Sequence, residues 1–80
     1  MTRDEAVAML RNGLSSLPSG IARADAYDAF DRLRFAIHVE TAEKLVREAH
    51  TTLILAVPAL KPAADKLLAD CVWGSSEPNP

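Results

Sequence analysis

The sequence predicts an all-α protein, a small helical bundle of three or four helices, and three observations lead to this fold class. Eighty residues leave room for a single core. Apolar residues form 49% of the chain but aromatic residues only 5%, so alanine and leucine supply most of the core. Apolar side chains also recur at helical spacing along most of the chain.

The chain is predicted to form one domain that is completed by dimerisation. Folding at this length buries only about 60% of the surface that the unfolded chain exposes, so a monomer has little core. We expect the helical domain to span residues 1–74. Residues 75–80 are expected to form a disordered tail, because they are serine, glutamate, proline and asparagine with no apolar side chain.

The first helix is predicted over residues 3–12. Thr2 and Glu5 have the spacing of a capping box, in which each side chain accepts a hydrogen bond from the other residue's backbone N–H. Gly13 is expected to end this helix, because glycine readily takes the left-handed conformation found after helix C-termini. Ser19 is the expected N-cap of the helix that follows.

Two apolar stripes follow each other in the segment from Ile21 to Val57, which holds no glycine and no proline. They lie about 150° apart around a common helix axis. The first stripe consists of Ala22, Ala26, Phe30, Leu33 and Ile37. The second keeps strict heptad spacing and consists of Phe35, Val39, Ala42, Val46, Ala49, Leu53 and Ala56.

Residues 20–57 therefore form either one long helix or a hairpin of two antiparallel helices broken near residues 38–41. Because nothing at 38–41 is a typical helix breaker, one continuous helix is favoured. Such a helix is about 55 Å long and cannot be covered by one small monomer. We therefore predict a homodimer whose seam is the second stripe, from Phe35 to Ala56.

The C-terminal part of the chain is predicted to form a short last helix over residues 62–73. Pro58 ends the preceding helix, because the residue before a proline is pushed toward an extended conformation. Pro62 suits the first turn of the last helix. Residues 53–57 are apolar nearly all round, so we expect this end to be the most buried part of the protein.

We expect no catalytic, cofactor-binding or metal-binding residues, and therefore no enzyme. His38 and His50 lack the Glu-x-x-His and His-x-x-x-His spacings that helical metal sites use. Cys71 is the only cysteine and has no neighbouring histidine to act as its base, so a core position is expected. The three glycines stand apart and cannot form a phosphate-binding loop.

Charge and hydropathy disfavour two classes of partner. Nine basic and eleven acidic residues give a net charge of −2, so the basic excess of a typical nucleic-acid-binding protein is missing. The longest apolar stretch, residues 53–60, is far shorter than the roughly 20 residues that span a bilayer. We expect no membrane partner, and a cytoplasmic location because no secretory signal is visible and a lone cysteine forms no internal disulfide.

These observations predict a non-enzymatic protein–protein interaction module that binds itself and a larger protein. We expect an adaptor or an inhibitor that covers a surface of its partner, with a phage-type or antitoxin-type antagonist as one form. Tryptophan and arginine are common at binding hot spots. The residues predicted to face the partner are Asp28, Asp31, Arg32, Arg34 and Trp73.

Two alternative functions stay open at this point. The first is a small dimeric nucleic-acid-binding regulator, which would use Arg23, Arg32, Arg34 and Arg47. The second is binding of a small molecule in a pocket lined by Tyr27, Phe30, Phe35 and His38.

Overall fold

The computed structural model describes residues 1–72 and confirms the all-α fold class. Within these residues the chain forms four α-helices: α1 Arg3–Ser15, α2 Ile21–His38, α3 Glu43–Ala56 and α4 Lys61–Asp70. A 3₁₀ turn over Pro58–Leu60 connects α3 to α4. The most extensive packing joins α2 to α3, followed by the packing of α1 on α4.

Helix α1 starts as predicted and ends later than predicted. The capping box is present: Glu5 N donates to Thr2 Oγ1 at 3.1 Å, and Thr2 N donates to Glu5 Oε1 at 2.7 Å. Gly13 lies inside the helix instead of ending it, and the Leu60 side chain occupies the space that a Cβ on this residue would fill. Gly13 therefore allows a close contact between helices rather than a helix stop.

The start of α2 also differs from the prediction in its capping residue. Gly20, and not Ser19, is the N-cap, and no side chain caps the first turn. Gly20 has a φ of 149°, a conformation that L-residues with a side chain rarely adopt.

The preference for one continuous helix over residues 20–57 is wrong, and the alternative of a hairpin is confirmed. The chain leaves the helical conformation at Val39, whose φ and ψ are −131° and 129°, and α3 begins at Glu43. Thr41 Oγ1 donates to Val39 O at 2.9 Å, a local bond that competes with helix hydrogen bonding. The predicted break near 38–41 therefore forms without glycine or proline.

The bend is held from outside by the chain after α4. Val72 N donates to Ala36 O at 2.7 Å, and Thr41 N donates to Val72 O at 3.1 Å. Groups that a continuous helix would satisfy internally are thus satisfied by a distant segment. This contact lies between residues far apart in the sequence, so no local pattern signals it.

The hairpin turns the two apolar stripes toward each other, and together they form much of the core. Phe30 and Leu33 of the first stripe are buried, as are Val46, Ala49 and Leu53 of the second. Helices α1 and α4 close the other side of this core with leucines and alanines. The core members from those two helices are Ala6, Leu10, Leu14, Ala63, Ala64 and Leu67.

The end of α3 is not the most buried part of the protein, contrary to the prediction. Leu53 is fully buried, but Leu55 is 76% exposed. Because the hairpin and α4 cover only part of α3, an apolar residue on its outer face stays in solvent. No helix within residues 1–72 is long and apolar enough to cross a membrane.

Pro58 and Pro62 act as predicted, whereas the last helix is shorter than predicted. Helix α3 ends before Pro58, and Pro62 lies in the first turn of α4. Helix α4 ends at Asp70, since Cys71 is extended and Val72 bonds to Ala36. The predicted end of the domain at residue 74 and the predicted tail over 75–80 lie outside the described residues.

Two neighbouring leucines of α3 test the orientation of this helix. Leu53→Ala should lower the free energy of unfolding by about 2–5 kcal/mol, since it empties a fully buried position. Leu55→Ala makes the same chemical change at an exposed position and should cost about 0.5 kcal/mol or less. Urea unfolding measures both, and equal losses would contradict an α3 that turns Leu53 inward and Leu55 outward.

Candidate functional site

Four exposed apolar side chains lie around the bend between α2 and α3. Phe35 is 59% exposed, Val72 49%, and Val39 and Leu45 44% each. Backbone hydrogen bonds join Val39 to Phe35 and Val72 to the bend, while Phe35 and Leu45 line one cavity. We call these four residues the end patch. Apolar surface gathered in this way is typical of a binding site.

A groove runs along the contact between α2 and α3 and opens at the end patch. Its apolar half has a volume of about 400 Å³. Phe35 and Leu45 form its exposed walls, and the buried Val46 lies beneath them. This half is lined by Asp31, Arg32, Phe35, Thr41, Leu45 and Val46.

The second half of the groove is acidic and has a volume of about 300 Å³. Its floor includes Ala29 and Ala49, two buried small residues that leave space between the helices. The charged residues on its walls are Asp25, Asp28, Arg32 and Glu48. Arg32 and Leu45 line both cavities, so the two cavities are adjacent along the contact between α2 and α3, and we call them together the α2–α3 groove.

The four α2 residues predicted to face a partner are all exposed, and each forms an ion pair within α2. Arg32 Nε lies 2.9 Å from Asp28 Oδ2, and Arg34 Nη1 lies 3.6 Å from Asp31 Oδ1. Asp28, Asp31 and Arg32 line the α2–α3 groove, whereas the guanidinium of Arg34 lies over the Phe30 ring. Trp73, the fifth predicted residue, lies outside the described residues.

The predicted dimer seam does not form one surface. Val46, Ala49 and Leu53 are buried in the core of the chain itself, and Ala56 is half-buried. Only Phe35, Val39 and Ala42 are exposed. The heptad stripe finds its partner inside the same chain because the hairpin folds α2 onto α3, so any dimer contact on this stripe is limited to its first three residues.

The aromatic pocket considered for a small molecule is not assembled. Phe30 is 2% exposed and belongs to the core, while Phe35 and His38 are exposed. Tyr27 is half-buried and carries the Arg23 guanidinium 5.6 Å from its ring centre. Of these side chains only Phe35 lines the α2–α3 groove.

A hydrogen bond between side chains of α3 and α4 has no counterpart in the sequence analysis. His50 Nε2 lies 2.7 Å from Asp65 Oδ1, and Lys61 Nζ lies 2.9 Å from Asp65 Oδ2. The hydrogen bonds from Lys61 and from His50 lower the pKa of Asp65. The Lys61–Asp65 spacing is visible in the sequence, but nothing there signals His50, fifteen residues away.

The thiol of Cys71 is part of the packing, and its raised pKa disfavours the thiolate form. Its Sγ lies 3.1 Å from Leu67 O and 3.4 Å from Leu33 O. Burial, helped by the charge of Asp70, raises the pKa of Cys71 to about 11. The thiolate required for nucleophilic chemistry is therefore scarce at neutral pH.

The remaining polar side chains offer no metal site in the part of the chain that the structure describes. Within residues 1–72, no three His, Cys, Asp or Glu side chains lie together in a way that could hold a metal ion.

The chain matches no protein-family model, no curated protein and no solved structure. The end patch and the α2–α3 groove are therefore the candidate binding surfaces of this protein.

The Asp65 contact should make stability depend on pH in the acidic range. The pKa of Asp65 is lower in the folded chain than its ordinary value, so its contribution to stability is complete above that value and is lost as the pH falls through the folded pKa. Asp65→Asn should therefore destabilise the protein more at about pH 5 than at about pH 2.

Urea unfolding at both pH values measures this difference. The control is Asp25→Asn, which removes a carboxylate that has no ion-pair partner among the described residues. A loss from Asp65→Asn that is the same at both pH values would contradict the assigned role of Asp65.

The raised pKa of Cys71 predicts slow alkylation. At about pH 8 iodoacetamide should modify the folded chain at least about tenfold more slowly than the chain unfolded in urea, because the folded thiol ionises less. Mass spectrometry over time measures both rates. Equal rates would show that the Cys71 thiol is not buried and that its pKa is not raised in the folded chain.

Proposed function

We propose that this protein is a non-enzymatic protein–protein interaction module, an adaptor or an inhibitor that covers a surface of a larger partner. The end patch is the observation that carries this proposal. A chain with little core leaves Phe35, Val39, Leu45 and Val72 in solvent at one end of the bundle. Burying such side chains against a partner removes apolar surface from water, which favours association.

The position of Phe35 supports a binding role more than a role in folding. Phe35 is on the side of α2 that faces away from Phe30 and Leu33, both of which are buried. An aromatic side chain next to a cavity is a common hot spot, because it buries a large apolar area on binding. The groove at its side gives a partner side chain a place to insert.

An antagonist of the phage or antitoxin type is one form of this proposal. Such a protein acts by covering its target and needs no chemistry of its own. The unactivated thiol of Cys71 agrees with a role of that kind. A cytoplasmic location belongs to the proposal too, and the free Cys71 suits a reducing compartment.

Homodimerisation is a second use of the same surface. Phe35, Val39 and Ala42 are exposed and lie at the end patch or beside it, so a second copy could cover them. In the rest of the predicted seam Val46, Ala49 and Leu53 are buried and Ala56 is half-buried, which limits the area that such a dimer would share. A second copy of the chain therefore competes with a larger partner for the end patch.

The nucleic-acid-binding alternative gains no support from the arginines assigned to it. Arg32 and Arg34 pair with aspartates of α2, and Arg47 Nε lies 2.6 Å from Glu43 Oε2. Arg23 lies over the Tyr27 ring. A carboxylate beside an arginine offsets part of its attraction for phosphates, so Arg32, Arg34 and Arg47 are weak candidates for phosphate contacts. A mobility shift of duplex or single-stranded nucleic acid at low salt would restore this alternative.

Capture of a partner from the cells that produce the protein tests the proposal. Phe35→Asp should reduce the recovery of the partner by at least about tenfold, because it places a charge in the contact. Leu55→Asp makes the same kind of change at a side chain that is 76% exposed and belongs to neither the end patch nor the groove, and should leave recovery unchanged.

Quantitative mass spectrometry of the captured proteins measures both effects, and circular dichroism confirms that each variant is folded. Equal recovery with the wild-type chain and with Phe35→Asp would contradict a binding role of the end patch.

A further inference from the structure

The α2–α3 groove has the length of a short helix. Asp25 and Thr52 line its acidic end, and Phe35 and Thr41 line its apolar end. Asp25 and Phe35 are ten positions apart, which corresponds to about 15 Å along α2, or about three helical turns. The groove therefore offers room beside two antiparallel helices for about three turns of a third.

The surfaces inside the groove suit an amphipathic occupant. Ala29 and Ala49 are small and leave the floor of the groove free of large side chains, so the backbone of an incoming helix can approach closely. Leu45 stands at the middle and Phe35 at the apolar end, both partly exposed. Side chains spaced at three and four residues on one helix face can cover both of them.

The charges of α2 and α3 are distributed unevenly around the groove. Each of the two helices carries equal numbers of acidic and basic side chains. The residues that line the groove include four acidic side chains but only one basic side chain, Arg32. The guanidiniums of Arg23 and Arg34 lie over aromatic rings of α2 instead. The groove is therefore acidic although the helices that form it are neutral.

Two of these acidic side chains are available to a ligand. Asp25 and Glu48 line opposite walls of the acidic half, and neither has an ion-pair partner among residues 1–72. Asp28 and Asp31, in contrast, pair with arginines of α2. A basic side chain that reached between Asp25 and Glu48 would meet two carboxylates at once.

On these grounds we propose that the α2–α3 groove binds an amphipathic helix of another protein. The apolar side chains of that helix cover Phe35 and Leu45, and its basic side chains face Asp25 and Glu48. This inference rests on the proposed function and adds to it the chemistry and the orientation of the partner.

A second copy of the chain fits the groove less well than a foreign helix. All four helices of the chain carry equal numbers of acidic and basic side chains, so none has the basic excess that the groove attracts. An anionic membrane surface or a nucleic acid would be repelled by Asp25 and Glu48. Charge complementarity therefore favours a basic segment from a different protein.

A pair of synthetic helical peptides of about 15 residues tests the proposal with the full chain. The first peptide carries leucines on one face and lysines beside them, and the second has glutamate in place of every lysine. Isothermal titration calorimetry should show that the lysine peptide binds at least about tenfold more tightly than the glutamate peptide. Phe35→Asp should weaken the binding of the lysine peptide by at least about tenfold.

Charge-reversal variants locate the contact. The double variant Asp25→Lys with Glu48→Lys should weaken the binding of the lysine peptide by about tenfold or more and strengthen the binding of the glutamate peptide. Asp4→Lys changes an exposed acidic residue of α1 that lies outside the groove, and should leave both affinities within about twofold of wild type. Thermal unfolding confirms that the variants are folded.

Several outcomes would overturn the inference. These are absence of lysine-peptide binding up to about 1 mM, equal affinity for both peptides, or an equal effect of Asp4→Lys and the double variant. A dimer in sedimentation that Phe35→Asp dissociates and the lysine peptide does not would assign the groove to a second copy. If the peptides fail while Phe35→Asp still abolishes capture of a partner, the proposed function stands and this inference alone is wrong.

Discussion

Two hydrogen bonds of Val72 hold the bend on which the rest of this structure depends. Val72 bonds to Ala36 at the end of α2 and to Thr41 in the bend, so the chain after α4 closes the gap between α2 and α3. Backbone groups that leave a helix need new partners, and in this fold a segment more than thirty residues away supplies them. The bend in turn decides which apolar faces meet, which face stays in solvent and where a groove forms.

The candidate site is a direct consequence of that bend. Once α3 folds back on α2, Ala29 and Ala49 meet at the contact, and their small size leaves a groove above them. Phe35 cannot join the core, because Phe30 and Leu33 already occupy the inner side of α2. The exposed aromatic residue and the groove thus have one origin, which supports treating them as parts of one binding surface.

Local signals identified the helical segments but neither favoured the break near residues 38–41 nor showed how the helices are arranged. The capping box of Thr2 and Glu5 and the prolines at 58 and 62 act through neighbouring residues, so they are readable in the sequence. The heptad stripe from Phe35 to Ala56 predicts that a helix packs there, but a stripe looks the same whether its partner is a second chain or the preceding helix. The contact of His50 with Asp65 is equally invisible, because it joins different helices.

The sequence by itself determined the all-α fold and, to within one residue, the starts of α1, α2 and α4 and the end of α3. It also predicted that Asp28, Asp31, Arg32 and Arg34 face a partner, and the structure leaves all four exposed, which such a role requires. Only the tertiary structure decided that residues 20–57 form a hairpin, that Leu53 is buried while Leu55 is exposed, and that acidic side chains collect along one groove. The physical reason is that periodicity reports which residues share a helix face, whereas the burial of a face depends on contacts between residues far apart in the chain.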